Sequence, residues 1–142
     1  MRYLGIDLGS KTVGLAMSDT TLTIASTYKT IFFKDEDYNS TINEIKDIIK
    51  EYNITKIILG LPKNMNNTEG ERCEKTKEFA QMLERRTELS VVLWDERLTT
   101  VAADRHMMES GIRRENRKQY VDEIAAVFIL QGYLDSLAFQ KH

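Results

Sequence analysis

Four acidic side chains stand where the sequence pattern does not predict a solvated surface. They are Asp7, Asp95, Glu96 and Asp122. Carboxylates that converge on one point repel each other, and divalent cations bound by their oxygens relieve that repulsion. Two cations about 4 Å apart can activate a water, polarise a phosphate and neutralise the leaving oxygen. Convergence of these acids would therefore predict a Mg²⁺ or Mn²⁺ site that hydrolyses phosphate esters.

Asp7 lies inside the first predicted strand. Strand alternation puts it on the face of Tyr3 and Gly5, opposite to the face of Leu4 and Ile6. A carboxylate in a central strand is costly unless it is paired or binds a cation. The alternative is a structural role, in which Asp7 caps the Gly-Ser turn that follows.

The other acids lie at the end of a strand and near the start of a helix. Asp95 and Glu96 follow the apolar run 91–94, which predicts a buried strand, and sites in α/β folds gather at the carboxyl ends of strands. The two side chains face opposite ways, and the pattern alone does not choose between them. Asp122 precedes the apolar run 124–130 of the last predicted helix. Its alternative role is a favourable interaction with a helix N-terminus.

Composition excludes several other kinds of site. The 142 residues fit one domain, 1–142, in which 42% of the residues are hydrophobic and 30% are charged. The single cysteine, Cys73, permits neither an internal disulfide nor a multi-cysteine zinc site, and we expect it to be a buried structural thiol. Only two histidines occur, His106 and His142. A Ser-His-Asp relay would therefore depend on His106 alone.

Charge and hydropathy indicate where the protein works and how it meets a polyanion. The sequence shows no secretion signal and no long apolar stretch, which predicts a cytoplasmic protein that does not enter the membrane. The net charge of −2 gives no overall attraction to nucleic acid. A local basic patch or bound metal would have to hold it. The candidate patch comprises Arg113, Arg114, Arg117 and Lys118, with Arg105 one helix earlier. This patch is either a mobile clamp hinged at Gly111 or a solvated connection, which charge runs usually are.

Hydrophobic spacing predicts the elements that must position these residues. The predicted strands are 2–8, 12–18, 24–33, 54–60 and 91–94, and the predicted helices cover about 42–52, 71–83, 99–111 and 119–137. Capping boxes are predicted at Thr41–Glu44 and at Thr68–Glu71, with a start a few residues earlier as the alternative for the first helix. The order indicates an α/β fold with a mixed five-stranded sheet, three antiparallel strands followed by parallel strands, flanked by helices on both faces. It matches the ribonuclease-H-like fold.

Four aromatic residues fall within or beside the strand patterns: Tyr28, Phe32, Phe33 and Trp94. Each could serve as a platform on which nucleic-acid bases stack. Their positions in strands favour packing in the core instead. We therefore expect these rings to be buried.

Four phrases of the sequence resemble the YqgF/RuvX family, whose members are described as Holliday-junction resolvases and as nucleases that mature the 16S rRNA precursor. In order they are Gly5–Gly14, the loop 60–70 with its Gly-Leu-Pro and Thr-Glu-Gly triplets, Asp95–Thr100, and Asp122–Leu134. The resemblance runs over nearly the whole chain. One departure is Asn67, where the family usually has Gly. Because Asn tolerates positive φ, we expect this departure to affect loop stiffness and not the acids.

The resemblance implies a ribonuclease-H-like fold, two Mg²⁺ or Mn²⁺ ions and phosphodiester hydrolysis. It carries the catalytic, metal-binding triad onto Asp7, Glu96 and Asp122, and so favours Glu96 over Asp95. Substrate-binding roles are carried onto Lys11 in the first phrase and onto Arg97 and Thr99 in the third. The expected substrate is the 5′ end of the 16S rRNA precursor, with ribosomal particles as a further partner.

Three other interpretations remain open. A DNA junction could be the substrate, and paired cuts would favour a homodimer over a monomer. A non-catalytic module that binds RNA or ribosomes is a second interpretation, which clustered carboxylates do not explain. The segment 7–12 also resembles the first phosphate loop of actin-like sugar kinases and ATPases, but those proteins close two such domains over a nucleotide. No P-loop pattern is present either.

Overall fold

A computed structural model of the chain describes residues 1–9, 11–34, 37–62, 70–95 and 114–140, with the side chains of Glu71, 114–123 and 139–140 not described. In these ranges eight elements occur in sequence. They are β1 (Arg2–Leu8), β2 (Thr12–Ser18), β3 (Ala25–Phe32), α1 (Tyr38–Tyr52), β4 (Ile54–Leu61), α2 (Glu71–Thr87), β5 (Val91–Asp95) and α3 (Arg114–Gln140). The predicted strands are all confirmed, with bounds that shift by one residue at four of the ten ends.

The five strands form one sheet in the order β3-β2-β1-β4-β5. Neighbours β1, β2 and β3 are antiparallel, whereas β1, β4 and β5 are parallel. The predicted mixed sheet is therefore confirmed. Because β1 is the middle strand, hydrogen bonds fix it on both sides, to β2 and to β4.

Each face of the sheet is covered by helices. On one face, α1 and α2 pack over β1, β2 and β4 through a large apolar cluster that includes Ile6, Ile45 and Phe79. On the other face, α3 packs through a smaller cluster that includes Ala126 and Leu130. Side-chain alternation along each strand separates these clusters, which makes it possible to assign every strand residue to the α3 face or to the α1–α2 face.

Both predicted capping boxes are wrong, whereas the alternative of an earlier start for the first helix is confirmed, since α1 begins three residues before Thr41. Asp37 caps α1, its carboxylate accepting a hydrogen bond from the backbone N–H of Ser40. The hydroxyl of Thr41 donates instead to the carbonyl of Asp37. Gly70 is the N-cap of α2, so Glu71 occupies the first helical position, too early to close a box with Thr68, which lies outside the described residues.

The last helix also begins earlier than predicted. Hydrophobic spacing predicted a start near 119, whereas α3 begins at Arg114. The first turns contain Arg, Glu and Lys, which have good helix propensity but give no apolar period to recognise. Arg114, Arg117 and Lys118 therefore belong to a helix and not to a connection. The helix predicted at 99–111 lies outside the described residues.

The fifth strand differs from the prediction of a buried strand. β5 pairs with β4 alone at the edge of the sheet, and its residues are half-buried or exposed, with Leu93 39% exposed. An apolar run does not distinguish an edge strand from a central one. Cys73 is fully buried, as predicted. No helix in the described part of the chain is long and apolar enough to cross a membrane.

Candidate active site

Asp7 is a buried carboxylate on the middle strand of the sheet. It is 8% exposed and lies at the second-last position of β1. Asp7 is two residues after Gly5 and so shares its face of the sheet. Gly5 faces α3, since a Cβ at Gly5 would lie 2.7 Å from Cβ of Leu130 and 2.9 Å from the carbonyl oxygen of Ala126. Alternation therefore puts Asp7 on the α3 face, as predicted.

Glycines flank Asp7 on both neighbouring strands. Gly14 on β2 pairs directly with Asp7. On β4, Gly60 follows Leu59, which pairs with Ile6. Paired residues project from the same face of a sheet, with Cβ atoms about 5 Å apart. Because neither glycine has a side chain, no side chain from the directly paired positions of these two strands lies beside the Asp7 carboxylate.

The parallel strands β1, β4 and β5 have their carboxyl ends at the same edge of the sheet. Leu61 of β4 pairs with Asp95 of β5, and Gly60 pairs with Trp94. Val92 and Trp94 pack in the cluster beneath α3, so Asp95 belongs to the opposite face. Asp7 and Asp95 thus project from different faces of the sheet.

The long helix α3 runs antiparallel to β1 over the Asp7 face. The ring of Tyr3, at the start of β1, lies 6.1 Å from the ring of Tyr133. Gly5 meets α3 earlier in the helix sequence, near Ala126. The N-terminal half of α3 therefore extends toward the end of the sheet where Asp7 lies. Asp122 is part of α3, and its side chain is not among those described.

The remaining predicted site residues divide between described and undescribed positions. Outside the described residues lie Glu96, Arg97, Thr99, Arg105 and Arg113. The positions of Arg114, Arg117 and Lys118 are in the first turns of α3, without described side chains. Lys11 is exposed, and its carbonyl accepts a hydrogen bond of 3.0 Å from the N–H of Phe33.

Arg72 is a basic residue near the site that sequence reasoning did not single out. Its guanidinium Nη2 donates a hydrogen bond of 3.1 Å to the carbonyl oxygen of Leu8, the residue after Asp7. Arg72 lies in the first turn of α2 and is exposed. The only sequence signal was a basic residue directly after the Thr-Glu-Gly phrase, and nothing in its spacing indicated contact with β1.

The four aromatic side chains that we expected to be buried differ in their exposure. Phe33 is 6% exposed and packs in the core. Tyr28 packs edge-on against Tyr52 at 5.5 Å, and half-buried Trp94 packs edge-on against a ring of α3. Phe32 is 76% exposed, so its predicted burial is wrong. It lies at the last position of the edge strand β3. It projects from the α3 face of the sheet, but α3 does not cover it.

The donor chemistry around Asp7 fits a hard divalent cation. Within the described residues, no three His, Cys, Asp or Glu side chains meet in a group that could hold a metal. Asp7 itself offers carboxylate oxygen, the donor that Mg²⁺ and Mn²⁺ prefer. Its cross-strand neighbours on the same face are glycines, which bring no competing soft ligand.

Comparison with known proteins assigns the fold. The chain superposes on T. thermophilus RuvC in complex with a Holliday junction substrate with a TM-score of 0.62 at 12% identity, covering 98% of this chain and 96% of that chain. The fowlpox virus Holliday junction resolvase matches with a TM-score of 0.56 at 16% identity, covering 96% and 99%. These likenesses confirm the ribonuclease-H-like fold.

Sequence comparison gives much closer relatives. A protein of Agathobacter rectalis with the provisional designation pre-16S rRNA nuclease is 64% identical over 139 residues, 97% of each chain. A protein of Lachnospira eligens with the same designation is 53% identical over 137 residues, 96% of this chain and 98% of the relative. The family model described as RuvX: Holliday junction resolvase matches residues 1–136. The chain therefore belongs to the RuvX family.

Proposed function

We propose that this protein is a divalent-metal-dependent nuclease that acts in the cytoplasm on the 5′ end of the 16S rRNA precursor. The observation that carries the proposal is Asp7, a carboxylate buried between two glycines on the middle strand of a RuvX-family sheet. The designation of its relatives as pre-16S rRNA nucleases supports the choice of RNA. The 142 residues act as one nuclease domain, in which Asp7, Glu96 and Asp122 hold the metal.

The packing of α3 supports Asp122 as the second acid. Two strand residues rise about 6.6 Å, a distance that about four helical residues cover at roughly 1.5 Å each. Gly5 meets α3 between Ala126 and Leu130, with Cβ of Leu130 the nearest atom. One such step further, β1 reaches Asp7 and the antiparallel helix reaches the turn 122–126. This register supports a location of Asp122 within about one helical turn of the level of Asp7.

The faces of β5 support Glu96, and not Asp95, as the third acid. Asp95 projects from the α1–α2 face, away from Asp7. Continued alternation would bring Glu96 to the α3 face, together with Trp94. A strand separation of about 4.8 Å puts β5 roughly 10 Å from β1. Carboxylates that reach toward each other over the side-chain-free Gly60 can share cations across that gap.

The chain's own residues supply orientation and charge. When bound, two Mg²⁺ or Mn²⁺ ions would activate a water and neutralise the leaving oxygen. β2 and β4 fix the backbone of Asp7 on both sides, so its carboxylate is preorganised for a cation. The guanidinium of Arg72 fixes the end of β1 through the Leu8 carbonyl, and its positive charge favours the approach of a phosphate.

The basic residues of α3 support binding of a nucleic-acid backbone beside these acids. Arg114, Arg117 and Lys118 precede Asp122 by one to two helical turns. They therefore extend beyond the edge of the sheet at which Asp7 lies. Together with Arg113, Lys11, Arg97 and Thr99, they form the proposed substrate contacts. A local basic patch of this kind suits a chain whose net charge is −2.

Cleavage of labelled RNA tests the proposal. The wild type should cut a 16S rRNA precursor fragment in Mg²⁺ or Mn²⁺, and Asp7→Asn should lower the rate by at least about 100-fold, because a metal ligand is lost. Asp95→Asn is the matched control, since it makes the same change on the opposite face. Its rate should stay within about twofold of the wild type, while Glu96→Gln should resemble Asp7→Asn.

The same assay compares the alternatives. The family description favours a Holliday junction as the second candidate substrate, so a four-way DNA junction is cut in parallel, and sedimentation shows whether a monomer or a homodimer is active. Cleavage of the junction alone would replace RNA by DNA. Binding of RNA or of ribosomal particles without cleavage of either substrate would favour a non-catalytic module. Cleavage that persists in Asp7→Asn would contradict the proposed site.

A further inference from the structure

Phe32 presents its ring to solvent beside two lysines. At 76% exposure it is the most exposed large apolar side chain in the described part of the chain. A single exposed apolar residue needs no explanation by itself. Here, however, the ring lines a surface cleft of about 460 Å³ whose other described lining residues are Lys11, Phe33 and Lys34. An aromatic face between two positive charges matches the chemistry of single-stranded nucleic acid.

The cleft is held rigidly by backbone hydrogen bonds. The N–H of Phe33 donates to the carbonyl of Lys11 at 3.0 Å, and the N–H of Asp37 donates to the carbonyl of Lys34 at 3.0 Å. The ring of Phe33 is buried and packs edge-on against Tyr38 at 5.5 Å. The strand end that carries Phe32 and its backbone contact with Lys11 are therefore in place before any ligand arrives.

The side chain of Phe32, which lines the cleft, lies on the same face of the sheet as the candidate active site. Asp7 pairs with Gly14, and Gly14 pairs with Thr30 on β3. Phe32 is two residues beyond Thr30, so it projects from the same face as Asp7. Two strand separations and two residues of rise give about 12 Å between the two Cα atoms. This distance spans about three to four nucleotides of a stacked strand at roughly 3.4 Å each.

We propose that this cleft is a binding subsite for an unpaired nucleobase of the substrate, stacked on Phe32, with the flanking phosphates held by Lys11 and Lys34. The subsite rests on the proposed function in taking nucleic acid as the substrate of the Asp7 site. A base inside a duplex has both faces covered by its neighbours, so only an unpaired base can stack on the ring. The subsite thus selects a single-stranded segment near the scissile phosphate.

Binding measurements on the Asp7→Asn protein test the subsite without cleavage. Fluorescence anisotropy compares a short single-stranded RNA, the same sequence as DNA, and an RNA duplex. Phe32→Ala should weaken single-strand binding by about 5- to 150-fold, the range for loss of one base–aromatic stack. Phe32→Trp should retain tight binding, whereas Phe32→Leu, apolar but not aromatic, should bind as weakly as Phe32→Ala. Duplex binding should not change.

Controls separate stacking from other effects. Ile24→Ala removes another exposed apolar side chain, 60% exposed before the start of β3, and should leave binding unchanged. Lys11→Ala and Lys34→Ala should each flatten the dependence of log K on log salt by about 0.7, the value for one single-strand phosphate. If Phe32→Ala lowers the affinity for single-stranded RNA and DNA equally, the subsite recognises the base and not the sugar. A loss confined to one would identify that nucleic acid as the ligand.

The inference and the proposed function can fail separately. Single-strand binding by Phe32→Ala within twofold of the parent would overturn the subsite, as would rescue by leucine or an equal loss on duplex RNA. Those outcomes leave the cleavage assay untouched. Conversely, a protein that cleaves nothing but loses single-strand binding in Phe32→Ala and keeps it in Phe32→Trp would retain the subsite and lose the nuclease.

Discussion

The two ends of the α3 face of the sheet are built in opposite ways. The packed end contains Tyr3, Gly5, Lys56 and Tyr133. There Lys56 Nζ donates to the Tyr133 hydroxyl at 3.0 Å and lies 5.3 and 5.4 Å from the centroids of the Tyr3 and Tyr133 rings. The open end contains Asp7, Gly14 and Gly60, where a buried carboxylate lies between two residues without side chains. One strand, β1, contributes to both ends.

The difference separates stability from chemistry along one strand. Apolar area and cation–π contacts at the packed end favour the folded state. At the open end the two glycines contribute no side-chain packing, and burial of the Asp7 carboxylate lowers stability, as is common at functional sites. Changes at the packed end should therefore alter the unfolding temperature more than the cleavage rate. Changes at the open end should do the reverse.

Gly5→Ala is the change with the largest expected effect on stability. Its new methyl group would lie 2.7 Å from Cβ of Leu130 and 2.9 Å from the carbonyl of Ala126. Neither atom can rotate away, so α3 would have to move off the sheet. Overpacking of this kind costs about 1–3 kcal/mol, which corresponds to a fall of roughly 3–10 °C in Tm for a domain of this size. Calorimetry measures it.

Gly14→Ala is the matched change at the open end. Its methyl group would lie about 5 Å from Cβ of Asp7, in the room proposed for cation and phosphate. We expect cleavage to fall by about tenfold, because small displacements of reacting groups are costly, with a smaller change in Tm than that of Gly5→Ala. If Gly14→Ala instead lowers Tm as much and leaves the rate intact, the two ends do not differ as described.

Sequence reasoning predicted the strands and the position of Asp7 because both depend on local patterns. Alternation along 3–8 assigned Asp7 to the face of Gly5, and the structure confirms that face. The order of the strands followed from three consecutive strand patterns and two later ones. The choice of Glu96 over Asp95 came from family resemblance and stays a prediction, because Glu96 lies outside the described residues.

The failures concern properties that a local pattern does not contain. Phe32 and Phe33 have the same sequence surroundings, yet one is 76% and the other 6% exposed. Phe33 projects into the cluster beneath α1 and α2, whereas Phe32 projects from the other face at the end of an edge strand. β5 has the composition of a central strand but lies at the edge. Arg72 contacts Leu8 across 64 residues, a distance along the chain that no motif records. These features depend on which strand lies beside which.

Tyr133→Phe tests a single hydrogen bond at the packed end. The bond from Lys56 raises the pKa of that lysine above its ordinary 10.5. Its loss should cost about 0.5–1 kcal/mol at neutral pH. Because the folded-state pKa is the higher one, this stabilisation is complete below pH 10.5 and is lost as pH rises through the folded-state value. Urea unfolding at pH 7 and pH 11 measures the difference in free energy of unfolding between the wild type and Tyr133→Phe. This difference should be smaller at pH 11, and the cleavage rate at pH 7 should be unchanged.

Asp19→Asn should have the smallest effect, in the loop that follows β2 at the packed end. The carboxylate of Asp19 accepts backbone hydrogen bonds from Ile24 at 3.0 Å and Thr23 at 2.8 Å, and one from the Thr21 hydroxyl. Led by the bond from Ile24, these hold its pKa well below the ordinary 3.8. A depressed folded-state pKa stabilises the protein above the unfolded value and loses that effect as pH falls. Asp19→Asn should therefore lower Tm slightly at pH 7, and the difference from wild type should narrow once the pH falls below about 4. A difference in Tm that stays constant across that range would mean that the stability lost in Asp19→Asn does not come from the charge of the carboxylate.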